Sequence, residues 1–181
     1  MRMSAAITIF LLLFFLFMSS TSLAQHKYNS HRLTESDKPF SPKLALQIDP
    51  PGEKIVIVDP NIHEWGAYDS NGELLHAGIA TAGSDWCRDL HRRCHTKVGT
   101  FRVYSLGDRS CVSRKFPLGR GGAPMPYCMY FNGGQALHGS PSSHVVRGNI
   151  SHGCVRLHVE DAKWLRFNFV EEGTEVIIKP Y

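Results

Sequence analysis

The chain has 181 residues, a hydrophobic fraction of 43%, a formal net charge of +4 at pH 7 and five cysteines. So small a positive excess gives no reason to expect nucleic-acid binding, because solubility accounts for it equally well. The length suits one domain with one core rather than several.

The N-terminus reads as a targeting segment. Arg2 supplies a short positive region, Ile7 to Met18 is an apolar run, and Ser22-Leu23-Ala24 puts small residues where signal peptidase reads. Residues 1–24 are therefore expected to be a cleavable signal peptide, and the chain is expected in the periplasm or cell envelope. The run is shorter than the roughly 20 residues that span a bilayer, so no stable membrane span is expected after cleavage.

Residues 25–52 are polar and carry Asn, Ser, Thr and Pro, which reads as an extended leader or linker closed by Pro50-Pro51. The texture changes at Glu53. Ile55-Val56-Ile57-Val58 is a β-branched run and predicts a strand. Ile62 to Tyr68 and Glu73 to Thr81 flank Asn71-Gly72, a strong hairpin signal. Thr100 to Ser105 alternates apolar and polar residues as a half-buried strand does. Met129 to Leu137 predicts two strand pieces broken at Gly133-Gly134. Glu160 to Leu165 predicts a short helix with acids in its first turn, where they complement the helix dipole. Gly173 stops it, and Thr174 to Lys179 predicts a final strand. The domain at 53–181 is thus expected to be mostly β, a sandwich or barrel with one or two short helices.

Two long loop-like stretches interrupt it, residues 83–98 and 107–127. Long structureless loops inside a small domain are usually functional. Each holds cysteines, and in an oxidising compartment four of the five can form two bridges. If Cys154 is left out, three connectivities of Cys87, Cys94, Cys111 and Cys128 remain open. Cys87–Cys94 and Cys111–Cys128 are favoured because each closes a short polar loop. Cys87, His91, Cys94 and His95 are also ligand types for zinc, but their spacing matches no strong zinc pattern. A bridge is the expected state there, with no metal.

Cys154 is the odd cysteine, in Ser151-His152-Gly153-Cys154-Val155-Arg156. A nucleophilic thiol needs a base or a positive field nearby. His138, in His138-Gly139, ends a predicted strand sixteen residues upstream. A strand–loop–strand return would bring it beside Cys154. His152 lies two residues before the cysteine and is expected to line the same cavity. Gly153 lets backbone N–H groups converge on an oxyanion. Arg156 is suited to a substrate carboxylate. Singly each feature has a bland reading: a buried thiol, a satisfied histidine, a turn glycine, a surface ion pair. Together they form a specific pattern.

That pattern resembles the L,D-transpeptidase catalytic domain, the YkuD-like family, whose members carry His-Gly and then Ser/Thr-His-Gly-Cys-x-Arg/Asn. The resemblance extends from about Glu53 to Tyr181, including Thr96-Lys97-Val98-Gly99-Thr100-Phe101, Pro126-Tyr127-Cys128-Met129 and Gly173 to Ile178. The cysteine-bearing loops and the segment Gly121 to Tyr127 are similar to the enhanced-entry branch of intracellular bacteria. The resemblance implies Cys154 as nucleophile, His138 as base and later acid, and the Gly139 carbonyl as the group that orients the His138 ring. It implies Gly153 and Cys154 N–H groups as oxyanion donors, His152 in the catalytic cleft, and Arg156, Tyr127 and Ser151 as substrate contacts. The implied substrate is a peptidoglycan stem tetrapeptide, attacked at its third residue with release of D-alanine and formation of a thioester. The acceptor is an amine of another stem, a lysine of an envelope lipoprotein, or water. Such chemistry needs no cofactor. Alternatives are an L,D-carboxypeptidase, another wall cysteine peptidase, or a non-catalytic wall-associated or host-contact protein. In papain-like wall peptidases the cysteine precedes the histidine, which is the reverse of the order here.

Overall fold

The structure is a computed structural model that describes residues 40–181. The expected signal peptide and the first part of the leader lie outside the described residues. The strands are β1 (Ile55–Asp59), β2 (Glu64–Tyr68), β3 (Leu74–Ile79), β4 (Gly99–Arg102), β5 (Ser105–Leu106), β6 (Met129–Asn132), β7 (Gln135–Ser140), β8 (Val155–His158) and β9 (Glu175–Ile178). They form a five-stranded sheet in the order β3-β2-β1-β9-β4 and a four-stranded sheet in the order β5-β6-β7-β8. Helix α1 (Val159–Trp164) runs into a π-helical turn, Leu165–Phe169. The mostly-β expectation holds, with one short α-helix among the described residues.

The main core joins side chains from both sheets and α1, among them Val56, Trp65, Leu137, Val155, Leu157 and Leu165, all fully buried. β1 has no polar alternation because both of its faces are covered. Val56 and Val58 point into the main core, whereas Ile55 and Ile57 pack with Tyr68 and Ile48 on the other side. Ile48 belongs to the segment read as leader. Residues 40–52 lie against the domain rather than apart from it. The fully buried Glu64 carboxylate accepts the backbone N–H groups of Lys43 (2.7 Å) and Leu44 (3.3 Å), and the Tyr68 hydroxyl donates to Ala45 O. The polar texture of 25–52 concealed two apolar anchors, Leu44 and Ile48. Leu44 is buried and Ile48 half-buried, whereas Leu46 remains exposed.

The hairpin between β2 and β3 forms at Asn71-Gly72 as expected. Gly72 has φ +84, and a Cβ there would stand 2.3 Å from Ile48 O. The run Thr100–Ser105 is not one strand. β4 pairs with β9 in the first sheet and β5 with β6 in the second. Between them Val103 N–H donates to Thr174 O and Tyr104 N–H to Tyr130 O, so the chain changes sheets at that point. Alternation continues through such a corner, which is why the sequence pattern does not reveal it.

β7 and β8 are parallel neighbours, with Leu137 opposite Val155 and His138 opposite Arg156. The connection between them is long, as a parallel pair requires. It carries a 3-10 turn at Ser142–His144 and then the Ser151–Cys154 run. α1 packs on β7, and a Cβ at Gly139 would lie 3.1 Å from Val159 Cα, so a side chain there would crowd the helix start. Cys87–Cys94 and Cys111–Cys128 are disulfides, the pairing favoured from loop length, and Cys154 is free.

Candidate active site

The register of β7 and β8 puts His138, Cys154 and Arg156 on one cavity of about 790 Å3. His138 is 5% exposed. Its Nδ1 lies 2.8 Å from Gly139 O. A carbonyl only accepts, so in the neutral ring Nδ1 carries the proton and Nε2 keeps its lone pair. Burial pushes His138 down to about 4, the Arg156 charge acts in the same direction, and the Gly139 carbonyl opposes both. The ring is therefore a neutral base throughout the physiological range.

Cys154 is half-buried, and its thiol donates to Gly134 O at 3.6 Å. Burial pushes the thiol up, while the Ala136 N–H and the Arg156 charge pull the other way. Burial dominates, so the resting pair is a thiol and a neutral imidazole rather than a thiolate and an imidazolium. The Cys154 N–H has no hydrogen-bond partner among the described residues. Arg156 is half-buried, and burial lowers its affinity for its proton.

Ser151, His152 and Gly153 line the same cavity. Ser151 is 1% exposed, and its hydroxyl donates to Cys154 O and accepts the Gly153 N–H at 3.1 Å. Ser151 thus shapes the turn around Cys154, and in this structure the Gly153 N–H is engaged by the Ser151 hydroxyl. Gly153 still requires its residue type, with φ +120 and the Gln135 amide 3.0 Å from where a Cβ would be. Tyr127, expected to contact substrate, does not line the cavity. It is buried in the main core and meets Phe167 edge-on, because the chain takes φ 60 there and turns the ring inward.

His152 lines the cavity at its rim. Its Nε2 meets the Asp89 carboxylate at 2.9 Å, and its ring lies 4.6 Å from that of Phe116. Asp89 belongs to the Cys87–Cys94 loop and Phe116 to the Cys111–Cys128 loop, so both loops meet on His152. The same contact holds the Asp89 carboxyl below its ordinary value. Ligand-type atoms of Cys87, Asp89 and His152 fall within 4.8 Å of one another, but the Cys87 sulfur is bonded to Cys94 and is not available to a metal. His95 pairs with Asp85 and stacks on Tyr181.

Sequence reasoning missed Arg92, Arg114, Lys115, Phe116 and Tyr130, all of which line the cavity. Tyr130 packs with Cys154 and Cys111, and burial followed by the Cys154 charge raises its phenol. The signal available beforehand was only that the two cysteine loops are rich in Arg and Lys.

Two sheets with a buried imidazole on β7 and a half-buried thiol just before its parallel neighbour β8 define a domain built around one thiol–imidazole cavity. Residues 53–178 match the family model of the L,D-transpeptidase catalytic domain, YkuD, and the chain belongs to that family. Among solved structures, an L,D-transpeptidase from Xylanimonas cellulosilytica is similar at 24% identity and TM-score 0.59, over 79% of this chain and 65% of that one. One from Stackebrandtia nassauensis is 21% identical with TM-score 0.59, over 74% and 58%. L,D-transpeptidase 3 from Mycobacterium tuberculosis, in complex with a faropenem-derived adduct, is 21% identical with TM-score 0.57, over 70% and 60%. At these identities the likeness is one of fold, and the chain spans less than two thirds of the length of each of the three. The search of curated proteins finds no match.

Proposed function

We propose that this chain is an exported, cysteine-dependent L,D-transpeptidase that acts on peptidoglycan stem peptides. The observation that carries the reading is the pair of His138, with Nε2 unprotonated, and the free Cys154 on one cavity. The Cys154 thiol gives its proton to His138 Nε2 as sulfur bonds to the carbonyl carbon of the donor's third residue. The Cys154 N–H receives the developing oxyanion. His138 then returns the proton to the nitrogen of the terminal D-alanine as the C–N bond breaks, leaving a thioester. An acceptor amine, from a second stem or a lipoprotein lysine, attacks the thioester, and the thiol is regenerated. The Gly139 carbonyl holds the imidazole through the proton transfers, the orienting role that a carboxylate fills in other triads.

The 1.4 kcal/mol that separates each tenfold of rate makes loss of either member of such a pair easy to read. Intact mass after exposure to a carbapenem is expected to show one adduct on the wild-type chain and none on Cys154→Ala. Incubation with purified muropeptides then identifies the acceptor. A wild-type chain that forms no adduct and releases no D-alanine from a tetrapeptide overturns the reading. Export is tested by sequencing the mature N-terminus, expected to begin at Gln25.

A further inference from the structure

We propose that the two disulfide-clamped loops form a cationic vestibule to the Cys154 cavity, which selects acyl donors bearing free carboxylates over the same peptides with carboxamides. This rests on the transpeptidase reading and adds a specificity to it. Arg92 comes from the Cys87–Cys94 loop, Arg114 and Lys115 from the Cys111–Cys128 loop, and Arg156 from β8; all four line the cavity, and no Asp or Glu does. Some cations elsewhere among the described residues are paired, such as Arg102 with Glu53 and Glu175, Arg147 with Glu64, and Lys179 with Asp59. None of the four cavity cations forms an ion pair among the described residues. The carboxylate beside the cavity, Asp89, is already held by His152.

A half-buried guanidinium without a counter-charge is unfavourable, and an incoming anion relieves that cost. Arg156 is in that position, one strand away from His138. The rim cations are on exposed side chains, but their backbones are held. Each loop is closed by a disulfide, and both are joined at His152 through Asp89 and Phe116. Groups presented from a tethered loop lose less freedom on binding than groups on a free one. A carboxylate meets a guanidinium with charge and two acceptors, whereas a carboxamide brings one acceptor and no charge. A stem peptide with diaminopimelate at the third position carries one free carboxylate on that side chain and another on the terminal D-alanine, both close to the reacting carbonyl.

The test is equilibrium binding, by calorimetry, to the full chain carrying Cys154→Ala. The probes are a free-acid tetrapeptide and the same peptide with its carboxylates amidated. Because no acyl transfer occurs in this variant, the measurement reads the vestibule apart from the chemistry. The free acid is expected to bind at least about tenfold more tightly, as for one charge-assisted hydrogen bond. That preference is expected to shrink as salt screens the rim charges. Adding Arg92→Gln, Arg114→Gln and Lys115→Gln is expected to bring the two affinities within about threefold of each other. Arg114→Gln alone, on an exposed side chain, is expected to give a partial loss in the same direction. Equal affinities for the two peptides, no binding of either, or a preference that survives the triple substitution overturns the vestibule. A wild-type chain that fails to form an acyl-enzyme while the affinity difference persists overturns the transpeptidase reading and leaves the vestibule standing.

Discussion

The depressed pKa of His138 makes a sharp kinetic prediction. With the ring at about 4, its neutral fraction at pH 5 is about 90%, whereas an ordinary histidine at 6.5 would be only about 3% neutral. Acylation by a carbapenem, followed by stopped-flow absorbance, is therefore expected to stay near its plateau down to pH 5 and to fall with a midpoint close to 4. The raised Cys154 thiol keeps the nucleophile protonated at neutral pH, so the reactive resting state is thiol plus free imidazole across that window. The same shift couples to stability. The unfolded chain takes up a proton at this site as pH falls through 6.5, but the folded chain does so only near 4. The folded state is thus fully favoured above 6.5 and loses about 3 kcal/mol of that advantage between 6.5 and 4. Urea unfolding of the wild type against His138→Gln, at pH 7 and at pH 4.5, measures this, since the glutamine does not titrate. An acid limb with its midpoint near 6.5, or a stability difference that does not move with pH, refutes a buried neutral His138.

Two further predictions concern stability. Glu64 is fully buried and binds Arg147 at 2.8 Å as well as the Lys43 and Leu44 N–H groups. Glu64→Ala is expected to cost about 3 kcal/mol, the low end for a broken buried pair because Arg147 is partly exposed and can turn to water; a loss under about 1 kcal/mol in urea unfolding would contradict this. Cys111 and Cys128 are 17 residues apart. Replacing both with serine is expected to remove about 3 kcal/mol by chain entropy. It is also expected to lower Tm by roughly 6–12 °C and to weaken donor binding by loosening Arg114 and Lys115; an unchanged Tm would show that the bridge does not constrain the unfolded chain.

The sequence by itself determined whatever depends on near neighbours. β1 follows from four consecutive β-branched residues, the β2–β3 hairpin from Asn71-Gly72, and α1 from its acidic first turn. Short loops favoured the Cys87–Cys94 and Cys111–Cys128 pairing without excluding the other two connectivities, and the structure shows that pairing. The run around Cys154 and the upstream His138-Gly139 were legible as a family pattern, and residues 53–178 match that family.

Only the tertiary structure decided relations between distant segments. That β7 and β8 run in parallel with His138 beside Arg156 depends on a register that neither strand encodes alone. The sheet change at Val103 leaves local alternation intact and so has no local signature. Tyr127, expected to contact substrate from the family resemblance of its segment, has its ring buried in the core at a positive φ. Ser151 and the Gly153 N–H looked free until the turn closed on them. That no described Asp or Glu lines the cavity with Arg92, Arg114, Lys115 and Arg156 is likewise a property of the folded surface, because Asp89 and Asp108 lie close to three of them in sequence. Local propensity acts over a few residues, whereas charge complementarity and burial are set by which segments the fold brings together.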